Sequence, residues 1–401
     1  MVVSSPLSGK NRGYWKGIPM KKKLGVGFVG AGWMGQTLLG RLSERPNVKI
    51  CSLHQRSKDR AIAVLKKLKL NPGCFVSEYG QLLANPEVDA VFICSTNEVH
   101  GPQAIAAQEA GKHVFCEKPC ATRFDEFCRQ IKLEQENPDR ITYVNYLMNF
   151  DTLENHIKAM AARGNFGTIT QIQVNYRHPI NIVGDKVWKL SARRMGDAIG
   201  MGIIHSLSVM LNIMAAQDAK PVRVYASNSD VHTRPFELPA IWNLHISFTN
   251  GGTGLCLGNV DQANGYDAYH NIHGTAGGLI FDSYLDRPQK IRFWSEEKTR
   301  GEWVYPLDPN WCEKNGMKDQ IWPDSTTTPD SGDVVQHQTG ACLDHFLQCI
   351  QQKEQSFLSF VNSAEVAELG WAAQISAARQ TPVALPLDWE EARRFFANNQ
   401  M

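Results

Sequence analysis

Three glycines near the start of the chain have the spacing of a dinucleotide site. Gly30, Gly32 and Gly35 form a G-x-G-x-x-G run between an apolar, strand-like segment and a helix-like segment. The first glycine permits a tight turn, the second lets the main chain approach a pyrophosphate, and the third lets the helix pack closely on the strand. The helix begins near Trp33 and Met34, where free N–H groups face the phosphates. This context favours a dinucleotide site over an ordinary glycine-rich turn.

A second candidate is the lysine of the Glu117-Lys118-Pro119 run, which follows a short buried strand-like segment. Pro119 restricts Lys118 to an extended conformation. Residues at the ends of parallel strands face the crevice where a cofactor binds. An ammonium group there can bind a substrate hydroxyl and shuttle its proton. The alternative is a surface Lys–Glu pair, which spacing alone favours.

The residues after the second predicted strand bear on nucleotide choice. Dinucleotide-binding sheets commonly place Asp or Glu there to bind the ribose 2′-hydroxyl. Here the position holds Gln55, and Arg56, Ser57 and Lys58 follow. These groups suit a 2′-phosphate, so the sequence favours NADP(H) as cofactor, with NAD(H) possible. A solvated basic helix start is the alternative.

The elements that must position these residues alternate through the first 150 positions. Strands are predicted at 24–29, 48–53, 88–94, 113–116 and 141–148, and helices at 34–42, 57–70, 99–110 and 123–136. This alternation predicts an α/β fold with a doubly wound parallel sheet of the Rossmann type, whose ligand binds at the carboxyl ends of the strands.

The pattern changes after about residue 150. Further strands are predicted at 168–177, 222–227, 241–248, 254–259, 278–282 and 290–294, and helices at 151–162, 203–215, 340–351 and 363–379. They predict a C-terminal α+β domain with a large open, mostly antiparallel sheet. We therefore expect a flexible arm at 1–19, a nucleotide-binding domain at 20–149 and a substrate-binding and oligomerisation domain at 150–401. A long ordered loop is expected at 305–335.

The composition is that of an ordinary soluble protein. The 401 residues carry a net charge of +2, which gives no electrostatic argument for nucleic acid or membrane partners. No segment approaches the apolar length of a transmembrane helix. The ten cysteines form no C-x-x-C pair, so we expect free thiols and a cytoplasmic location. His270 and His273 lack neighbouring ligands, and no metal site is expected.

The glycine run, the segment at 95–100 and the segment at 110–119 together resemble the Gfo/Idh/MocA oxidoreductases. The resemblance is close over 24–122 and looser to the end of the chain, where 271–280 is similar to the family's Gly-Thr-x-Gly hairpin. It implies a Rossmann domain and a second domain whose open sheet mediates homo-oligomers. It also implies hydride transfer between a nicotinamide and a hydroxyl-bearing carbon of a sugar or cyclitol, so the expected partner is a small carbohydrate or polyol.

The resemblance implies roles for individual residues. It places Lys118 at the substrate and Glu117 on the cofactor side. The loop that it places near the nicotinamide contains Ser95, Thr96, Asn97 and His100.

The family's second catalytic motif, Asp-x-Gly-x-His, is only partly matched. His205 aligns with the histidine, but Met201 stands at the aspartate position and Ser208 at the position of a following aspartate. Asp197 is eight residues before His205, too far to be the same carboxylate by register. Lys189 and Asp197 lie where the family places substrate contacts. A core role for His205 and structural roles for the other two are the alternatives.

Three functions follow from these residues. The leading hypothesis is an NADP-preferring oxidoreductase in which Lys118 exchanges the hydroxyl proton and His205 assists. The second is a redox-neutral enzyme that cleaves or epimerises glycosides with a tightly held nucleotide. The third is a nucleotide-binding sensor without turnover, which the methionine at position 201 favours and the retained Glu117-Lys118-Pro119 run opposes.

Overall fold

The computed structural model describes residues 23–261, 270–282, 290–301 and 338–398. The predicted arm at 1–19 and the predicted loop at 305–335 lie outside these residues.

The first half of the chain folds into a six-stranded parallel sheet with helices. Its strands are β1 (Leu24–Val29), β2 (Val48–His54), β3 (Phe75–Val76), β4 (Ala90–Ile93), β5 (His113–Cys116) and β6 (Thr142–Val144), in the order β3-β2-β1-β4-β5-β6. The helices are α1 (Trp33–Ser43), α2 (Lys58–Lys67), α3 (Tyr79–Ala84), α4 (Asn97–Glu109) and α5 (Phe124–Glu136). β1 and β4 are buried along their whole lengths, as strands covered on both faces are. The strand order reverses between β1 and β4, where a ligand crevice is expected.

A row of aromatic side chains fixes the register of this sheet. Phe28, Phe92, Phe115 and Tyr143 lie opposite one another on β1, β4, β5 and β6. Successive ring centroids are 6.0, 4.9 and 4.7 Å apart, and each pair is stacked. Offset stacking and burial of these rings stabilise the alignment of the strand ends that border the crevice.

The second half contains an eight-stranded mixed sheet. Its strands are β7 (Ile169–Arg177), β8 (Pro221–Ser229), β9 (Ile241–Phe248), β10 (Thr253–Asn259), β11 (His270–Gly274), β12 (Gly277–Asp282), β13 (Lys290–Ser295) and β14 (Val383–Ala384). The order is β13-β12-β11-β7-β10-β9-β8-β14, and only β7 and β10 pair in parallel. Buried and exposed residues alternate along β9, so one sheet face meets the core and the other does not. The predicted fold class is confirmed.

The helices of the second half pack partly on this sheet and partly on helices of the first half. They are α6 (Thr152–Ala162), α7 (Ala192–Met195), α8 (Ile204–Ala215), α9 (Glu296–Thr299), α10 (Thr339–Gln352), α11 (Ala364–Arg379) and α12 (Trp389–Asn398). α8 packs against β7, α6 and α11. The helical run Ala192–Ala215 is long and apolar enough to cross a membrane, contrary to our expectation for the sequence. However, 83% of its apolar window is buried, which is the environment of a core helix.

Several elements differ from the predictions. The strand predicted at 141–148 ends at Val144, because Tyr146 N–H bonds back to the Val144 carbonyl and a short 3₁₀ turn follows at Leu147–Phe150. α3 and α12 were not predicted as helices. All nine described cysteines are free, and all but Cys51 and Cys74 are buried.

Candidate active site

The glycine turn between β1 and α1 has the geometry of a phosphate cradle. Gly30 has φ +82°, and a Cβ on it would lie 2.5 Å from the Cys94 carbonyl oxygen. A Cβ on Gly35 would lie 2.3 Å from the Gly30 carbonyl oxygen. In contrast, a Cβ on Gly32 would meet no heavy atom within 4 Å from the described residues beyond its chain neighbours. Packing thus requires the outer two glycines, whereas the middle one faces open space and fits a ligand's close approach.

The N-terminus of α1 faces the same open space as Gly32. Gly32 is its N-cap, and the first turn contains no acidic residue. The first N–H groups of a helix have no partner within it, so this end can accept an anion. Trp33 is 44% exposed beside the turn, whereas Met34 packs against the core. The Gln55 side chain reaches the turn and accepts a hydrogen bond from Ala31 N–H at 3.4 Å.

The basic residues after β2 have different environments. The Ser57 side chain caps α2 by accepting a hydrogen bond from Arg60 N–H at 3.3 Å. Arg56 is exposed and makes no hydrogen bond or ion pair with the residues that the structure describes. Ser57 therefore has a structural role in any case, while the Arg56 guanidinium remains available for a ligand.

Glu117 is buried directly after β5, and each of its two carboxylate oxygens accepts a hydrogen bond. Its Oε1 accepts a hydrogen bond from Asn145 Nδ2 at 2.7 Å, and its Oε2 accepts one from Lys118 N–H at 3.3 Å. Burial raises the pKa of Glu117, and the Lys118 charge opposes that shift. Sequence reasoning missed Asn145, because an asparagine after a strand has no distinctive signal.

Lys118 does not form a surface ion pair. Its ammonium donates a hydrogen bond to the Met201 main-chain carbonyl. Met201 lies in a π-helical turn, Ile199–Ile203, which directly precedes α8. Burial lowers the pKa of Lys118. The neighbouring Glu117 carboxylate acts in the other direction, but the effect of burial is larger. The Lys118–Met201 hydrogen bond therefore connects the Glu117-Lys118-Pro119 run to the π-helical turn before α8. Such π-helical turns are frequent at functional sites.

His205 lies one turn after Met201 in the same helical segment and is 5% exposed. Its ring centroid is 6.1 Å from that of Tyr176, with the rings tilted. Ser208 Oγ donates to the His205 carbonyl at 2.8 Å and accepts from Asn149 Nδ2 at 2.9 Å. Lys118 and His205 are thus held by successive turns of one helical segment, and Ser208 supports that segment.

The segment 95–100, which includes the first turn of α4, mainly holds main-chain groups in place. The His100 ring lies between the carbonyls of Pro119 and Ser95, at 2.8 and 3.1 Å. Burial lowers the pKa of this histidine. Asn97 Nδ2 donates to the Met195 carbonyl at 2.9 Å, and Ser95 Oγ donates to Gln103 Oε1 at 2.6 Å. Thr96 is the N-cap of α4 and makes no side-chain capping bond.

Lys189 lies in a 3₁₀ helix, Gly184–Leu190, of the second half of the chain. Its pKa is lowered to about 7, mainly by burial and then by the charges of Lys118 and Lys186. Lys186 Nζ is 5.7 Å from the centre of the Trp33 ring. This helix therefore places the Lys186 ammonium beside the glycine turn, and the charge of Lys118 acts on its Lys189 ammonium. Sequence reasoning missed Lys186, which belongs to no recognisable motif.

Asp197 borders a different cleft. Its Oδ1 accepts a hydrogen bond from Gly200 N–H at 2.7 Å, and burial raises its pKa to about 6. The lining of this cleft includes Pro119, Tyr146, Trp371 and Gln374. Among the described residues, no hydrogen bond or ion pair joins Asp197 to Lys118. No group of three or more His, Cys, Asp or Glu side chains within the described ranges could hold a metal ion.

Two family models match the chain. Residues 24–146 match a model described as an oxidoreductase family with an NAD-binding Rossmann fold. Residues 155–280 match the model of the GFO/IDH/MocA C-terminal domain. Together the two models include the whole six-stranded sheet, strands β7 to β11 of the other sheet, the glycine turn, the Glu117-Lys118-Pro119 run and the segment that contains His205.

The chain is also similar to individual proteins that are named as oxidoreductases or dehydrogenases. The chain is 28% identical over 277 residues to the uncharacterized oxidoreductase YrbE of Bacillus subtilis, covering 68% of this chain and 77% of YrbE. It is 27% identical over 256 residues to the inositol 2-dehydrogenase of Salmonella typhimurium, covering 63% and 72%. A levoglucosan dehydrogenase solved with NADH and levoglucosan has a TM-score of 0.73 at 20% identity, covering 91% of this chain and 100% of that one, which shows a shared fold.

Proposed function

Because the chain belongs to the Gfo/Idh/MocA oxidoreductase family, we propose that it is an NAD(P)-dependent dehydrogenase acting on a CH–OH group of a sugar, polyol or cyclitol. The observation that carries the proposal is the half-buried Lys118 ammonium, which donates a hydrogen bond to the Met201 carbonyl one turn before His205. It lies at the carboxyl end of β5, the edge of the sheet where the glycine turn also opens. The similarity to an inositol 2-dehydrogenase supports a polyhydroxylated substrate.

In this proposal, the bound nicotinamide supplies the hydride acceptor or donor. Lys118 takes the proton of the substrate hydroxyl during oxidation and returns it during reduction. Its lowered pKa increases the fraction of neutral amine near neutral pH, so burial prepares it as a base. Asn145 holds the Glu117 carboxylate beside it, and His205 donates a hydrogen bond to the substrate oxygen.

The proposed cofactor site combines the glycine turn with the residues after β2. The amides at Gly32, Trp33 and Met34 would hold the pyrophosphate, and Gln55 and Arg56 would lie at the adenosine ribose. The absence of an acid at position 55 and the exposed Arg56 support a preference for NADP(H). We assign residues 20–149 to this cofactor domain and 150–401 to the substrate domain.

The proposal is tested in two steps with the full chain. Nucleotide that co-purifies is first identified, and NADPH and NADH are then titrated by nicotinamide fluorescence. A panel of sugars, polyols and cyclitols is next assayed for reduction of NADP⁺ and NAD⁺. We expect exchangeable nucleotide and net reduction with at least one compound.

Two other results would contradict the proposal. Nucleotide that resists removal, with cleavage or epimerisation of a glycoside and no net reduction, would identify the redox-neutral enzyme. Nucleotide binding without turnover of any compound would identify a sensor.

A further inference from the structure

The 3₁₀ helix Gly184–Leu190 is anchored over the cofactor domain at its start. Asp185 Oδ2 accepts a hydrogen bond from Arg60 of α2 at 2.9 Å. The next residue, Lys186, has its ammonium 5.7 Å from the centre of the Trp33 ring at the N-terminus of α1. The beginning of the 3₁₀ helix therefore lies beside the glycine turn.

The end of the helix is anchored as well. The Arg194 guanidinium lies over the Trp188 ring, 5.8 Å from its centre, and pairs with Glu98 of α4 at 3.1 Å. The Leu190 carbonyl accepts a hydrogen bond from Glu237 N–H at 3.0 Å. Along the chain, Lys189 therefore lies between the contact of Lys186 with α1 and the contact of Arg194 with α4.

The spacing of Lys186 and Lys189 along the 3₁₀ helix places their ammonium groups at different parts of the crevice. Side chains three residues apart in a 3₁₀ helix lie on one face and are about 6 Å apart along the axis. Lys186 is at the glycine turn, where a cofactor pyrophosphate binds. Lys189 is one turn further along the same helix face, and the charge of Lys118 acts on it. Lys189 therefore belongs to the substrate end of the crevice.

The acids around this crevice already have partners. Glu117 accepts from Asn145, Glu98 pairs with Arg194 and Asp185 pairs with Arg60. Asp197, which borders the other cleft, accepts from the Gly200 amide.

Lys189, in contrast, makes no hydrogen bond or ion pair with any residue in the described ranges. Burial and two neighbouring ammonium groups oppose its charge and lower its pKa. A half-buried ammonium beside a second one, without a counter-ion, is stabilised by an anion from outside the protein.

We propose that the substrate carries an anionic group, a carboxylate or a phosphate, which Lys189 binds while Lys118 contacts the reacting hydroxyl. This inference rests on the proposed function and specifies its substrate class as an acidic sugar or polyol. Lys189 donates charge-assisted hydrogen bonds to the anionic oxygens, and those oxygens supply the missing counter-charge. Lys186 remains with the cofactor.

The test compares matched sugars on protein saturated with NADPH. Glucose, glucuronate and glucose 6-phosphate are titrated at constant ionic strength, and binding is followed by the change in nicotinamide fluorescence. We expect an anionic sugar to bind at least about tenfold tighter than glucose, equivalent to about 1.4 kcal/mol. Lys189→Met should remove this preference. The matched control Lys186→Met, three residues away, should weaken NADPH binding and keep the preference.

The outcomes distinguish a carboxylate site from a phosphate site. They also distinguish failure of the anion inference from failure of the dehydrogenase proposal. Preference for glucuronate alone identifies a carboxylate site, and preference for glucose 6-phosphate alone identifies a phosphate site. Equal, weaker or undetectable binding of both anions, or a preference that survives in Lys189→Met, overturns the inference. Turnover is measured in parallel. Oxidation of neutral polyols without an anion preference would leave the dehydrogenase proposal standing, whereas anion preference without oxidation of any compound would contradict the dehydrogenase proposal instead.

Discussion

The ammonium of Lys118 donates a hydrogen bond to the main-chain carbonyl of Met201. Because the acceptor is a carbonyl, it positions the lysine whatever side chain stands at position 201. The methionine at the position where the resemblance places an aspartate therefore does not deprive Lys118 of an acceptor. It does remove a negative charge that would raise the lysine's pKa. Lys118 is thus positioned without a second carboxylate, and burial keeps its pKa low.

Restoring the carboxylate should shift the pH dependence of oxidation. In Met201→Asp, the new negative charge is expected to raise the pKa values of Lys118 and His205, because it stabilises their protonated forms. The neutral amine that accepts the proton would then form only at higher pH. The rise of kcat/KM with pH should move upward by about one pH unit. Met201→Asn, of similar size and uncharged, is the control, and an equal shift in both variants would contradict the explanation.

The glycine turn offers a pair of substitutions that separate folding from binding. Gly30→Ala places a side chain at positive φ against the Cys94 carbonyl, and should lower the free energy of unfolding by at least about 2 kcal/mol. Gly32→Ala meets no atom within 4 Å. It should change stability by no more than about 1 kcal/mol and still weaken nucleotide binding at least about tenfold.

Denaturant unfolding and nicotinamide fluorescence measure the two effects of these glycine substitutions. Full nucleotide affinity in folded Gly32→Ala would show that the pyrophosphate lies elsewhere.

The preference for NADP(H) should depend on Arg56. In Arg56→Ala, the affinity for NADPH is expected to fall about tenfold or more, since a charge-assisted hydrogen bond to the 2′-phosphate is lost, while NADH affinity stays the same. Gln55→Asp should favour NADH by repelling the 2′-phosphate and binding the 2′-hydroxyl. Arg129 of α5, whose guanidinium pairs with Glu109, provides the control Arg129→Ala. A parent protein that binds NADH as tightly as NADPH would refute this assignment.

Asp197 should make stability fall as the pH rises from about 4 to about 6. Its pKa is 3.8 ordinarily and about 6 in the fold, so the folded state binds more protons than the unfolded state in this interval. Above it, Asp197→Asn should be more stable than the parent by about 1 to 2 kcal/mol, because the amide oxygen still accepts from Gly200 N–H.

The advantage of Asp197→Asn should vanish below pH 4, where the carboxyl group is protonated in both states. Thermal unfolding across this range measures it, and a constant difference between the two proteins would contradict burial as the cause.

The sequence predicted the elements that carry strong local signals. The bounds of β1, β5 and β9 agree with their predictions, because continuous or alternating apolar residues specify buried strands. The glycine spacing likewise predicted the turn between β1 and α1 and its open middle residue, since each glycine answers a local steric requirement.

Contacts between distant residues could not be predicted in this way. Asn145 and Glu117 are separated by 28 residues and meet only because β5 and β6 are neighbours in the sheet. The 3₁₀ helix Gly184–Leu190 lacks apolar periodicity, so neither its shape nor the approach of Lys186 to Trp33 had a local signal. The predicted start of the helix at 203 missed the π-helical turn before it, which depends on packing against Pro119 and Tyr176.

The most direct test of the dehydrogenase proposal is the rate of nicotinamide reduction by Lys118→Met, compared with the parent protein on the best substrate of the panel. We predict that kcat falls by about 10² to 10⁴, the usual contribution of a general base, with nucleotide affinity within about twofold of the parent. Lys132→Met, an exposed residue of α5, should retain the parent rate. Unchanged kcat in folded, nucleotide-binding Lys118→Met would contradict the proposed role of Lys118.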